Sequence, residues 1–339
     1  MNPDKLSAAG PASRAGKPRW QGLAAIPWGI LLAVCCLFSG LWTALASQGE
    51  GELSILAPLA PKSLLLDAAV VDGGIWAVGE RGHVLFSSDN GLTWRQVQVP
   101  TRATLTGITF QGQRLGWAVG HQEVILRTTD GGQSWQKVHQ AEDEGDALLD
   151  VWFENAQHGF AIGAYGLCLR TRDGGVSWQP VRVSDDDWHL EQMAQSSDGR
   201  LYIAAEAGQI YRSDDGGETW TTLPSPYNGS FFGVLPLEND DLIVYGLRGH
   251  VFRSPDAGNT WSPVSTGTVA TLASGLLLSD GRILLAGLAG TLLVGPEENP
   301  SFTLVPGPGR RGIWAVVQVS QQSIICFGEG GATRVDLTK

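Results

Sequence analysis

A chain of 339 residues with 45 Gly, 13 Trp, only two Met and 17% charged residues has the make-up of a turn-dense β protein with ample core material, which argues against a disordered chain. Of its 23 basic and 34 acidic residues, four and one lie in the first 46, so from Ser47 onward the balance is −14. That acidity excludes a general nucleic-acid binder, whose affinity comes from neutralising phosphates.

Residues 1–22 are polar and basic and read as a cytoplasmic tail. Residues 23–46 follow as 24 uncharged residues, more than the roughly 20 that cross a bilayer core as a helix. Ala44-Leu45-Ala46 has the small-x-small form of a signal-peptidase site, so the segment is a transmembrane anchor or a long signal peptide. The anchor is favoured by length. Positive charge ahead of it puts the N-terminus in the cytoplasm and the rest, residues 47–339, on the periplasmic or lumenal side of a bacterial inner membrane, as a single-pass protein. Cys35 and Cys36 fall inside the apolar run, and Cys168 and Cys326 in later repeats, so all four read as packing residues rather than a disulfide framework.

A strand-like run at Leu53 to Leu59 precedes a repeating unit. Its clearest marker is SSDNGLTW (Ser87 to Trp94), which returns as TTDGGQSW, TRDGGVSW, SDDGGETW and SPDAGNTW. The tryptophans, Trp94, Trp135, Trp178, Trp220 and Trp261, lie 41, 43, 42 and 41 residues apart. A period near 40 is one supersecondary unit copied along the chain, burying its apolar faces against its neighbours. The aspartates, Asp89, Asp130, Asp173, Asp215 and Asp256, are expected to accept backbone N–H groups of their own tight turn. The glycine supplies a turn conformation, and the tryptophan packs on the adjoining repeat, its indole N–H needing a partner. A second marker, as in IWAVGERGHVLFS, places Gly79, Gly120, Gly163, Ala205, Gly246, Gly287 and Gly328 at equivalent positions, giving seven repeats. Each reads as four short strands, so the expected fold is all-β: a seven-bladed β-propeller with an N-terminal transmembrane helix. The seventh repeat has only three strands, and Leu53 to Leu59 is expected to supply its fourth and close the ring.

The Asp boxes paired with a preceding Gly-Trp-Ala-Val-Gly (Gly116 to Gly120) resemble the Asp-box, or bacterial neuraminidase-type, propellers. Within them the chain resembles the photosystem II assembly and stability factors of cyanobacteria and chloroplasts, over about residues 53 to 339. The resemblance implies a non-enzymatic scaffold that lies across the membrane from the cytoplasm. It implies integral membrane-protein subunits, of a photosystem-like or transporter complex, as partners bound during assembly or stabilisation; the acidity speaks against nucleic acid, and no cofactor or metal is expected.

Partner recognition is expected on the face opposite the boxes, built by the loops between second and third strands and between blades. Those loops offer Arg81, His83, His121, Tyr165, Arg248 and His250, then Trp188, Arg310 and Arg311, a mixed-charge surface with aromatic anchors. Glu142 to Asp146 and Asp185 to Asp187 add acidic runs; the second, with His189, has no metal-loop spacing. A sialidase-like hydrolase or glycan-binding propeller is the alternative reading. It would draw cations from Arg81, Arg248, Arg310 and Arg311 and a nucleophile from Tyr165, yet the chain has no Arg-Ile-Pro signature.

Overall fold

The computed structural model describes residues 52–142, 145–298 and 301–337. The expected tail and membrane segment, residues 1–46, lie outside the described residues. Among the described residues no helix is long and apolar enough to cross a membrane.

In the first unit, β1 (Leu65–Val71), β2 (Gly74–Gly79), β3 (His83–Ser87) and β4 (Arg95–Val97) pair antiparallel in chain order. The same sheet recurs at residues 105–139, 148–180, 190–222, 231–264, 272–304 and 313–336, the last with three strands. The fold is thus the all-β seven-bladed propeller that the repeat spacing predicts.

Strand periodicity explains how the blades cohere. Successive side chains of a strand point to opposite faces, and a blade's second strand is covered on both. In β2, Trp76 and Val78 face the second blade while Ile75 and Ala77 face the seventh, and all four are at most 2% exposed. That is why the segment reads as an unbroken apolar run. Seven hydrophobic clusters result, one at each junction between neighbouring blades.

Ring closure differs from the sequence expectation. Leu53 to Leu59 forms no strand of the seventh blade, which keeps three strands. The segment lies instead along the outer edge of the first blade: Ser54 N donates to Val99 O (2.8 Å), and Ala57 N to Gln96 Oε1 (2.8 Å). The seam between blades 1 and 7 is closed by side chains, with Leu65, Ile75, Ala77 and Leu85 packed on Ala315, Val317, Ile325 and Phe327. Its apolar composition made the segment look like a strand; its residues cap an edge that would otherwise be open.

The marker glycine has a steric cause. Each residue that follows it donates its N–H to the loop entering the same blade, as Glu80 does to Leu64 O (3.1 Å), Ala164 to Ala147 O (2.8 Å) and Glu329 to Gly312 O (3.1 Å). A Cβ at Gly79, Gly120 or Gly163 would overlap the very carbonyl that accepts that bond. Ala205, the exception, sits at φ −143° where Gly163 sits at φ −171°, so its backbone turns to accommodate the methyl.

Candidate functional site

The five boxes share one hydrogen-bond scheme. In the third, Thr171 Oγ1 donates to Asp173 Oδ1 (2.8 Å) and accepts Gly175 N (2.9 Å). Ser177 N donates to Oδ1 (2.9 Å) and Ser177 Oγ to Oδ2 (2.6 Å). Hydroxyl and backbone donors favour the ionised carboxylate. The Thr93, Ser177 and Thr219 hydroxyls lead in lowering Asp89, Asp173 and Asp215 to about 2. At Asp130 burial opposes the shift, but bonds from Ser134 and Thr128 together still lower it to about 2; at Asp256 the Thr260 hydroxyl leads, in the same direction. Each carboxylate is consumed by its own turn, on a different blade.

Box tryptophans pack across blade junctions: Trp135 lies edge-on to Trp76, Trp220 to Phe160 and Trp94 to Phe327, while Trp178 and Trp261 pack on the clusters of Trp117 and Tyr202. The indole of Trp94 donates to Gly91 O (3.2 Å). Those of Trp135, Trp178, Trp220 and Trp261 are buried and find no acceptor among the described residues, against the expectation of a partner for each. Third-strand arginines add a tie that sequence reading missed. Arg127 Nε donates to Gly174 O (2.7 Å), Arg212 Nη1 to Ala257 O (3.0 Å), and Arg170 pairs with Glu218 (3.0 Å), each reaching the next blade's box. The signal is legible: an arginine stands directly before the Ser or Thr that opens those boxes.

On the opposite face, the loops between second and third strands lie beside the blade-to-blade loops. Their central residues adopt left-handed backbone, among them Arg81 (φ 58°), Tyr165 (φ 53°) and Arg248 (φ 58°), which lifts these side chains off the blade. Tyr165, 63% exposed, stands edge-on to His189 at 4.8 Å between ring centres, and Gly166 N donates to Trp188 O (3.0 Å). One blade on, Tyr227 stacks on His250 at 4.2 Å, beside exposed Arg248. Blades 3 to 5 therefore carry a string of aromatic–histidine pairs. His121 is exposed on the second blade, Arg81 on the first, and Arg310 and Arg311 line a separate cleft of about 200 Å³ by the seventh. His83 departs from the expectation: it is 4% exposed with Nδ1 2.8 Å from Ser63 Oγ, which leaves it no surface for a partner. Burial also pushes its pKa below the ordinary value. No group of three or more His, Cys, Asp or Glu among the described residues is placed to hold a metal ion, Asp185 to Asp187 with His189 included.

The axis of the ring holds a feature with no counterpart in the sequence reading. Every innermost strand carries a β-bulge near its start, and the seven bulged residues are Leu66, Thr106, Leu149, Glu191, Phe232, Ala273 and Trp314. All seven line one central cavity of about 390 Å³. Asp67 and Asp150 lie beside them and accept the neighbouring blade's backbone, from Ile108 N and Met193 N, each at 2.8 Å. Withdrawal from solvent raises Asp67 to about 7, Asp150 to about 6 and Glu191 to about 7. The bulged position lies 14 residues before the marker in six blades and 13 in the first, a spacing that alignment of the repeats makes visible.

The family model described as photosynthesis system II assembly factor YCF48 matches residues 92–147 and 140–292, more than half of the chain. The chain belongs to the YCF48 family. Solved structures agree on the fold. A YCF48 bound to a D1 peptide superimposes with a TM-score of 0.69 at 20% identity, covering 86% of this chain and 98% of that one. YCF48 from Cyanidioschyzon merolae gives 0.68 at 16% identity, covering 83% and 97%. The WD40 propeller domain of Doa1 gives 0.66 at 15% identity, covering 82% and 93%, so at these identities likeness speaks for architecture alone. No curated protein matches the sequence. In this YCF48-family propeller, Tyr165 of the sialidase-like set pairs with His189, Arg248 lines one cleft, and Arg310 and Arg311 line another.

Proposed function

We propose that this chain is a non-enzymatic scaffold, anchored by residues 23–46 with the propeller on the periplasmic or lumenal side, that binds an integral membrane-protein subunit during assembly of a photosystem II-type complex. Family membership supports the assembly role, and the D1 peptide held by a related propeller suggests the kind of subunit. The observation that carries the binding reading is the string of Tyr165–His189 and Tyr227–His250 pairs across blades 3 to 5. Rigid aromatic anchors beside exposed Trp188 and Arg248 are the side chains that concentrate binding energy at protein interfaces. Affinity purification of the full chain from detergent-solubilised membranes should recover a membrane subunit, and Tyr165→Ala with Trp188→Ala should lower that recovery several-fold. Recovery of no membrane protein above an unrelated anchored control would overturn the proposal.

A further inference from the structure

Residues 53–60 present their side chains in an inverted order. The small ones point inward: Ser54 is 1% and Ala60 0% exposed, and Ala57 packs on the cluster that closes the ring. The large apolar ones point outward, with Leu53 50%, Ile55 61%, Leu56 57% and Leu59 67% exposed. The backbone is pinned in this orientation by the bonds from Ser54 and Ala57 to the first blade, by Gln98 Nε2 to Ser54 O (3.0 Å) and by Gln96 Nε2 to Ile55 O (3.0 Å). A fixed segment that turns its four largest apolar groups to the outside makes a contiguous patch of the kind that marks an interaction surface.

Two observations identify the occupant. Leu53 follows Ala46, the end of the uncharged run, by only seven residues, and an extended chain of that length reaches about 25 Å at most. Exposed Lys62 stands at the end of the segment, and at its start Arg102 donates to Leu53 O (2.9 Å) and pairs with Glu52, on a propeller whose overall balance is strongly acidic. Exposed apolar side chains with a lysine at their border are what the interfacial zone of a bilayer takes up, the ammonium reaching the headgroups. We propose that the rim of blade 1 is a bilayer-contact surface, with Leu53, Ile55, Leu56 and Leu59 seated among the lipids and Lys62 at the headgroups. The inference rests on the reading of residues 23–46 as an anchor. Contact at a single rim would hold the ring at one orientation and leave the loops of blades 3 to 5 free for a neighbouring membrane subunit.

The test uses the full chain with Cys35→Ser and Cys36→Ser, reconstituted into phosphatidylcholine–phosphatidylglycerol vesicles. A fluorescent label is placed at Ile55→Cys or, as a control, at Val269→Cys, which is 86% exposed on a distant blade. Cys168 and Cys326 are buried, with thiols pushed up to about 12, and stay unlabelled. Nitroxide-bearing lipid should quench the label at 55 several-fold more than that at 269, and Leu56→Glu with Leu59→Glu should abolish the difference without changing the melting temperature. Equal quenching at the two positions in a chain that resists alkaline carbonate extraction would overturn the contact surface while leaving the anchor intact. Extraction of the chain by carbonate would overturn the anchor and, with it, the contact surface.

Discussion

Thr171 holds the third box together from below. Its hydroxyl is buried, donates to Asp173 and accepts Gly175 N, so one oxygen ties the box carboxylate to a buried backbone amide. Thr171→Val keeps shape and volume but leaves the amide buried without an acceptor, which costs about 1–3 kcal/mol. Urea denaturation should register that loss, and the same substitution at Thr128 in the second box should behave alike, because its bonds to Asp130 and Gly132 repeat the scheme. Ser177→Ala removes a donor that solvent can replace, since that side of the turn is exposed, and should cost less. An equal cost at Thr171 and Ser177 would mean that the buried hydroxyl is not the residue on which the turn depends.

At the scale of the blade, the marker position separates backbone approach from packing. Gly163→Ala forces a methyl onto Ala147 O, a backbone atom that cannot rotate aside, and should destabilise by about 2 kcal/mol or more. Ala205→Gly, at the one blade already built around a methyl, removes a small buried group and should cost about 1 kcal/mol. Chemical denaturation of the two variants side by side decides the point, and a Gly163→Ala loss no larger than that of Ala205→Gly would refute the steric account. This element also shows how far sequence reaches. Glycines at a 41- to 43-residue spacing were enough to count the blades and to place the loops between second and third strands. Segment 53–59 has the composition of a strand, and only three-dimensional contact reveals that its small residues face in and its large ones out. His83 departs from the sequence expectation for a related reason: it follows an exposed loop in sequence, but its ring turns under the segment that carries Ser63. The ring of bulged residues around the central cavity is hidden in the sequence because a bulge rotates one residue out of the alternation by which a strand is recognised.

For the molecule as a whole, two sets of carboxyl groups pull stability in opposite directions with pH. The box aspartates Asp89, Asp130, Asp173 and Asp215 titrate near 2 in the fold against 3.8 when unfolded, so their contribution is complete above about pH 4 and is lost as pH falls toward 2. Asp67, Asp150 and Glu191 at the ring axis are raised to between about 6 and 7, so their contribution is complete below about pH 4 and is lost as pH rises through 7. Both sets contribute most in the same narrow range, and unfolding free energy should peak at about pH 4 and fall on either side. The alkaline limb traces to the central cavity, where no lining residue is Lys, Arg or His to offset the negative charge. Asp67→Asn keeps an oxygen to accept Ile108 N yet cannot ionise, so it should raise stability at pH 8 relative to the parent while changing little at pH 4. Urea midpoints across that range measure the effect directly. A variant whose pH profile runs parallel to the parent's would show that the channel carboxyls do not set the alkaline limb, and that the fall above pH 5 arises from the self-repulsion of an acidic surface.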